Sequence, residues 1–301
     1  MDDYLSDGRL DLMGYLKAVG IGYDWGDTPE VRRAIESDAF ITGLMGPFGS
    51  GKSSGCVIKM LRHALEQKPG PDGVRRTVWA VIRNTYPQLR DTAMRTVLEW
   101  LPESMGKLNR SSDHSFVITA IPNVHIEILF RALDLPKHVA NLLSLNLTGA
   151  WVNEARELPW AIMGPLQGRL GRFPPEKDGG PTWHGLVADT NPPDTDSWWY
   201  DLFEQKRPKN AVIYRQPGGR AEGAENTHNL PVGYYDNMAQ SMSPGEVSVY
   251  VDGQYGYVAD GKPIFPEYND SVHCRAIEYV PVSYTHLTLP TTWSRCWARG
   301  W

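Results

Sequence analysis

Residues 44–59 read LMGPFGSGKSSGCVIK, a glycine- and serine-rich stretch with a lysine at its centre. Gly46 to Ser53 fits the pattern G-x-x-x-x-G-K-[ST]. The apolar run AFITGLMG (39–46) before it ends at glycine and predicts a buried strand. After it, Val57, Ile58, Met60, Leu61 and Leu65 recur at helical spacing and predict a helix over 52–66. A strand, a flexible loop and a helix in that order form the context in which this pattern cradles phosphate. Gly46, Gly49 and Gly51 are expected to let the backbone turn so that successive N–H groups point at phosphate oxygens. The helix N-terminus adds positive potential. The nucleotide-contacting segment is therefore Gly46, Pro47, Phe48, Gly49, Ser50, Gly51, Lys52, Ser53 and Ser54. Lys52 is expected to reach the β- and γ-phosphates, and the Ser53 hydroxyl to hold Mg²⁺. The reading without function is a glycine-rich turn that binds nothing.

Hydrolysis also needs a group that orients water and one that supports the metal, at the C-terminal end of the strand beside the loop. LTGAWVNEA (147–155) reads as a strand ending in polar residues. Glu154 is the candidate for polarising water. Asn153 stands where an aspartate would support Mg²⁺, and as a neutral amide it would support it only weakly or through water. A strand-end glutamate in solvent is the plainer alternative. In ADTNPPD (188–194), Thr190 and Asn191 are placed to sense a γ-phosphate, or simply to turn the chain, because Asn-Pro is a turn signal.

Elsewhere the chain alternates. Helices are predicted for 29–37, 86–101, 136–145, 159–170 and 197–207. Strands are predicted for 76–84 and 183–193, and a hairpin for SFVITAI with VHIEILFRA. Thr28 followed by Pro29 reads as an N-cap and first helical position. Residues 208–233, rich in Gly, Pro, Asn and Arg, read as loop, and 253–268 as a small hairpin. Strands alternating with helices predict an α/β fold with a mostly parallel sheet. The 301 residues carry a net charge of −5, without the basic bias usual in nucleic-acid binders, although a local patch would suffice for contact. No apolar run is long enough for a membrane span, and no secretory signal is read at the start. Cys56, Cys274 and Cys296 form no paired spacing, so neither a disulfide framework nor a zinc site is expected, and a reducing cytoplasm is the default.

Several stretches in order resemble the ATPase domain of a tailed-phage large terminase. They are GPFGSGKS, VIRNTYPQLRDT, LLSLNLTGAWVNEA, LQGRLGRFPP and ADTNPPDTDSWWYDLF. The likeness runs from about Asp38 to Tyr268. It implies a RecA-like P-loop core of the ASCE type, with ATP and Mg²⁺ as cofactors. Lys52 and Ser53 would be nucleotide and metal ligands, Glu154 the catalytic glutamate, and Thr190 with Asn191 the coupling pair. It further implies that ATP hydrolysis drives double-stranded DNA into a procapsid. The motor would be a homo-oligomeric ring, usually pentameric, docked on a portal protein and loaded by a small terminase subunit. It would work in the host cytoplasm, sit on the procapsid transiently and be absent from the mature virion. An arginine completing a neighbouring subunit's site is sought among Arg83, Arg169 and Arg172, with Arg83 preferred; Arg207 and Lys209 are weak candidates for gripping DNA. Two departures stand out: the loop carries no arginine, and Asn153 replaces the usual aspartate.

The expected division is a helical lead-in (1–38), an ATPase domain (39–252) and a linker (253–280) toward a nuclease domain that does not follow, so metal-dependent DNA cutting is not expected. Residues 281–301 contain no Asp or Glu and resemble translated adapter sequence. They read as a non-native tail, or else as a short segment contacting a partner. A GTPase would show N-K-x-D downstream, which is lacking, and a small-molecule kinase would not need the strand-end glutamate. A scaffold that binds nucleotide without hydrolysis is the non-enzyme alternative.

Overall fold

The computed structural model describes residues 5–6, 9–111, 114–133 and 136–258. The linker beyond 258, Cys274, Cys296 and the 281–301 tail lie outside the described residues. All that is described belongs to one unit spanning Met1–Val258.

Eight strands form one sheet. In chain order they are β1 (Ile41–Met45), β2 (Arg75–Arg83), β3 (Gly106–Asn109), β4 (Ser115–Ile118), β5 (Val124–Ala132), β6 (Gly149–Asn153), β7 (Gly185–Thr190) and β8 (Ala211–Arg215). Across the sheet the order is β8-β1-β7-β6-β2-β5-β4-β3, parallel except for the β5-β4-β3 end. The helices are α1 (Leu12–Ala18), α2 (Pro29–Glu36), α3 (Lys52–Glu66), α4 (86–100, with a π-helical centre Leu89–Met94), α5 (Pro136–Leu142), α6 (Trp160–Gln167), α7 (198–206), α8 (Tyr234–Ser241) and α9 (244–251). None of the described helices is long and apolar enough to cross a membrane.

Strand parity separates two cores. Side chains two apart share a face, so Trp79 and Val81 of β2, Trp151 of β6 and Val187 of β7 join one cluster with α1–α4. Val78, Ala80 and Ile82, Ala150 and Val152, and Leu186 and Ala188 join the other, against α6 and α7. Both faces are covered, as a parallel sheet requires. The 1–38 segment shares the first core through Leu16, Val31 and Ile35. Its helices are preceded by a short antiparallel ladder that pairs Leu5–Ser6 with Arg9–Leu10. Thr28 takes the N-cap position of α2 and Pro29 its first turn as expected, but the Thr28 hydroxyl makes no capping bond and donates to the Trp25 carbonyl.

Two expectations are corrected, and one strand is added. Residues 208–233 are not all loop, because β8 pairs in parallel with β1 at the sheet edge. A further strand, β3, extends the antiparallel end. Residues 253–258, the described part of the expected hairpin, form no strand.

Candidate functional site

The C-terminal ends of β1, β7 and β6 converge on the start of α3. Gly49 (φ +69°) and Gly51 (φ +81°) hold left-handed backbone that a side chain would strain. Gly46 needs no such freedom. Its missing side chain makes room for Gln216, whose Oε1 would lie 2.4 Å from an added Cβ. Gln216 is buried behind the loop: its amide donates to the Ser50 carbonyl (2.7 Å) and the Glu225 carboxylate (2.7 Å), and it accepts from the Ser50 hydroxyl (2.8 Å). Glu225 in turn accepts from the Glu30 N–H at the start of α2 (2.7 Å). Phe48 is held from outside the loop. Phe48 stacks on Tyr250 with ring centroids 4.4 Å apart, donates its N–H to the Tyr250 carbonyl (2.9 Å) and accepts from the Tyr235 hydroxyl (2.7 Å). Beside Gly49, Leu230 and Tyr234 line a cleft of about 370 Å³.

Lys52 is buried, its ammonium donating to the carbonyls of Gly46 (3.0 Å) and Pro47 (2.5 Å), to Ser50 Oγ (3.3 Å) and to Asn191 Oδ1 (3.1 Å). Burial lowers its pKa, while Glu154 and Asp189 pull it back up. Asn191 also faces Glu154: its Nδ2 lies 3.4 Å from Oε1 and its backbone N–H 3.5 Å from Oε2. One amide side chain thus spans the gap between ammonium and carboxylate. Burial raises the Glu154 pKa, and the Lys52 charge opposes that rise. Glu154 sits in left-handed backbone (φ +49°), a strained conformation for a non-glycine residue that commonly marks a functional site. Thr190 and Asn191 are fully buried, and the Thr190 carbonyl accepts the Gly46 N–H (3.3 Å). They link loop, lysine and glutamate.

Glu154 does not lie on the strand next to the loop strand. β7 intervenes between β1 and β6, and its end carries a residue the sequence reading missed, Asp189. Asp189 is fully buried and accepts from Ser53 Oγ (2.8 Å), Trp151 Nε1 (2.7 Å) and Asn153 Nδ2 (3.1 Å to each oxygen). The expectation for Asn153 changes accordingly. Its Oδ1 accepts from Arg83 (3.0 Å) and Thr92 (3.3 Å), and its NH₂ faces Asp189 and Ser53, so it offers no oxygen toward a metal. The amide's orientation follows from these partners. Arg83 also departs from its expected role. It is buried, and its two terminal nitrogens are bonded within the chain to Asn153 (3.0 Å) and Glu157 (3.2 Å), while its Nε has no partner among the described residues. Arg169 and Arg172 flank Leu147 at the opposite end of β6. Arg172, Arg207 and Lys209 are exposed.

The donor set suits Mg²⁺, a hard cation that takes oxygen ligands. A serine hydroxyl at the helix start stands beside a buried carboxylate that, among the described residues, is bonded by neutral donors. Asp38, His63 and Glu66 also approach one another near the far end of α3, but Arg62 already pairs with both carboxylates.

No family model matches the sequence, and no curated protein does. Solved structures do match. The large terminase of a thermophilic bacteriophage superposes with a TM-score of 0.59 at 12% identity, covering 76% of this chain and 53% of that one. The complex of that same terminase with ATP-gamma-S gives 0.57 at the same identity and coverage. The large terminase ATPase domain of Thermus phage P74-26 gives 0.52 at 15% identity, covering 83% of this chain and 98% of that one. This chain spans about half the length of the first of these proteins and nearly all of the isolated ATPase domain. The fold is that of large-terminase ATPase domains, a RecA-like P-loop architecture.

Proposed function

We propose that this chain is the ATP-hydrolysing motor domain of a phage large terminase, and that its turnover drives double-stranded DNA into a procapsid. The observation that carries this reading is the buried junction at which Asn191 touches both Lys52 and Glu154. It joins a phosphate-binding cation to a general-base candidate through a single side chain.

The loop N–H groups and Lys52 hold the triphosphate, and the cleft beside Gly49 gives base and ribose a place to lie. Ser53 is the residue of the loop that would hold Mg²⁺, which when bound neutralises charge on the phosphate oxygens. Glu154 orients the attacking water and takes up its proton; burial makes it a stronger base than an ordinary carboxylate. Phosphate competes with Asn191 and the loop carbonyls for the Lys52 ammonium. When Lys52 turns to phosphate, the Asn191 amide is released from one side and its hold on Glu154 changes. Loss of the γ-phosphate reverses this. That exchange is a local means of passing nucleotide state into β7 and the α7 segment that follows it.

The same reading takes double-stranded DNA, a portal protein and a small terminase subunit as partners, and a pentameric ring in the bacterial cytoplasm as the working form. It is tested by ATP turnover with and without duplex DNA. Stimulation independent of sequence and weakened by salt is expected, because the contacts are to phosphate. Turnover indifferent to DNA, or phosphate transferred to a small acceptor, would count against it.

A further inference from the structure

The site lacks an aspartate at the end of β6, and the geometry points to Asp189 of β7 as the carboxylate that supports the metal in its place. This rests on the nucleotide-binding reading above.

The transfer is a single step across the sheet. Asn153 and Asp189 are directly paired in the parallel β6–β7 ladder, and Asp189 is paired on its other side with Leu44 of β1. Parity puts all of them on the α3 face: Trp151 and Asn153 alternate along β6 as Val187 and Asp189 do along β7. A carboxylate at either ladder position therefore faces the hydroxyl of Ser53. Here the amide took one position and the acid the other. Asn153 is not left idle. Its oxygen is consumed by Arg83 and Thr92, and its NH₂ group points at Asp189. It is a positioning residue that fixes the aspartate.

Asp189 has the properties the role needs. It is fully buried, yet every described group within hydrogen-bonding distance is a neutral donor, namely Ser53, Trp151 and Asn153. A carboxylate removed from water without a bonded cation is costly. Lys52 acts on it only through space, and Arg83 is screened from it by Asn153. The Ser53 proton already points at Asp189 (2.8 Å) and one lone pair of its oxygen faces the Asn153 NH₂ (3.3 Å), which leaves the other lone pair for a cation. An outer carboxylate that accepts a ligand's proton orients that ligand and raises its basicity, and losing such a partner typically costs about 10–100-fold in metal affinity.

The test uses the whole chain and measures binding of ATP-gamma-S by calorimetry in excess Mg²⁺ and in EDTA, with Mn²⁺ titrated by electron paramagnetic resonance in the presence of the same nucleotide. In the wild type, Mg²⁺ tightens nucleotide binding. Asp189→Asn is expected to weaken Mn²⁺ binding about 10–100-fold. It should also remove most of the Mg²⁺-dependent gain while leaving affinity in EDTA within about threefold. The exchange Asn153→Asp with Asp189→Asn returns the charge to β6 and is expected to restore much of the metal dependence. This arm also decides the matter should Asp189→Asn alone fold poorly. Unchanged Mn²⁺ affinity in Asp189→Asn, or an exchanged protein that folds but regains no metal dependence, overturns the assignment. A wild-type chain that binds no nucleotide in either condition overturns the underlying reading instead, and the two failures are told apart by the wild-type titration.

Discussion

Replacing Gly46 with alanine is the sharpest probe of how the phosphate loop is held. Its backbone tolerates a side chain, so a purely conformational account of the motif predicts a mild effect. The packing predicts otherwise. The new Cβ would lie 2.4 Å from Gln216 Oε1, 2.8 Å from its Cβ and 3.0 Å from its Cδ. The amide end could rotate away, but the Cβ moves only with the backbone, and the Gln216 N–H is bonded to the Met45 carbonyl (2.8 Å). Over-packing of this kind costs about 1–3 kcal/mol. Displacing the amide also strips partners from Ser50 and the buried Glu225, at about 1–3 kcal/mol for each group left unpaired. Together about 3–9 kcal/mol is expected, a fall in Tm on the order of 10 °C for a chain this size. Urea denaturation followed by circular dichroism measures it, with Gly164→Ala as control. Gly164 has open space around it within α6, so its substitution should be neutral or stabilising by up to about 1 kcal/mol. Gln216→Ala should cost about 2–3 kcal/mol by itself, and the double variant should lose at least about 1 kcal/mol less than the two singles added together. A Gly46→Ala loss below about 0.5 kcal/mol, or strict additivity in the cycle, would refute the contact as the reason for glycine there.

Further outcomes follow from the same geometry. Lys52→Ala should weaken ATP-gamma-S binding at least about tenfold, since charged hydrogen bonds are lost; normal affinity in calorimetry would contradict the loop reading. Glu154→Gln should retain nucleotide binding and lose at least about 10²-fold in turnover. Because burial raises the Glu154 pKa, wild-type turnover should fall, as acidity increases, at a pH above the ordinary carboxylate range. The folded state holds that proton more tightly than the unfolded chain, so the carboxylate disfavours folding at neutral pH. Glu154→Gln should accordingly melt higher than wild type near pH ~8, with the gap closing as pH falls through the raised pKa. Arg83→Ala should destabilise by about 2–3 kcal/mol, less than a fully buried pair because Glu157 is partly exposed. Mixing Arg83→Ala with Glu154→Gln protein should recover no turnover, whereas recovery would show that Arg83 works across subunits.

The loop, α3 and the sheet class are legible in the sequence because each rests on local pattern: a motif of fixed spacing, an apolar helical face and apolar strand runs. Helix α3 is predicted over 52–66 and is found there. Strand β8 is hidden because AVIYR is short, half-exposed and preceded by a proline-bearing loop, and only its pairing with β1 makes it a strand. Asp189 is hidden for a related reason. It stands in view within LVADT, but its partners are Ser53, 136 residues earlier, and Asn153, 36 residues earlier, brought together by a strand order that sequence spacing does not reveal. A signal exists: it is the only ionisable residue in its strand, two places after Val187, on the parity that faces α3. Arg83 misleads because a strand-end arginine reads as free until its neighbours on the adjacent strand are known.

The clasp on Phe48 by Tyr235 and Tyr250 has a consequence for biogenesis. Every signature residue of the loop has been translated by Ser54, yet the groups that brace it arrive nearly two hundred residues later. At roughly 5–20 residues per second, a ribosome needs on the order of 10–40 s to supply them. Until then the nascent polypeptide carries a complete motif without a formed receptor. Polypeptides ended near residue 210 would keep Lys52, Glu154 and Asn191 but lack the brace, and affinity for nucleotide should emerge only once Tyr250 has cleared the exit tunnel.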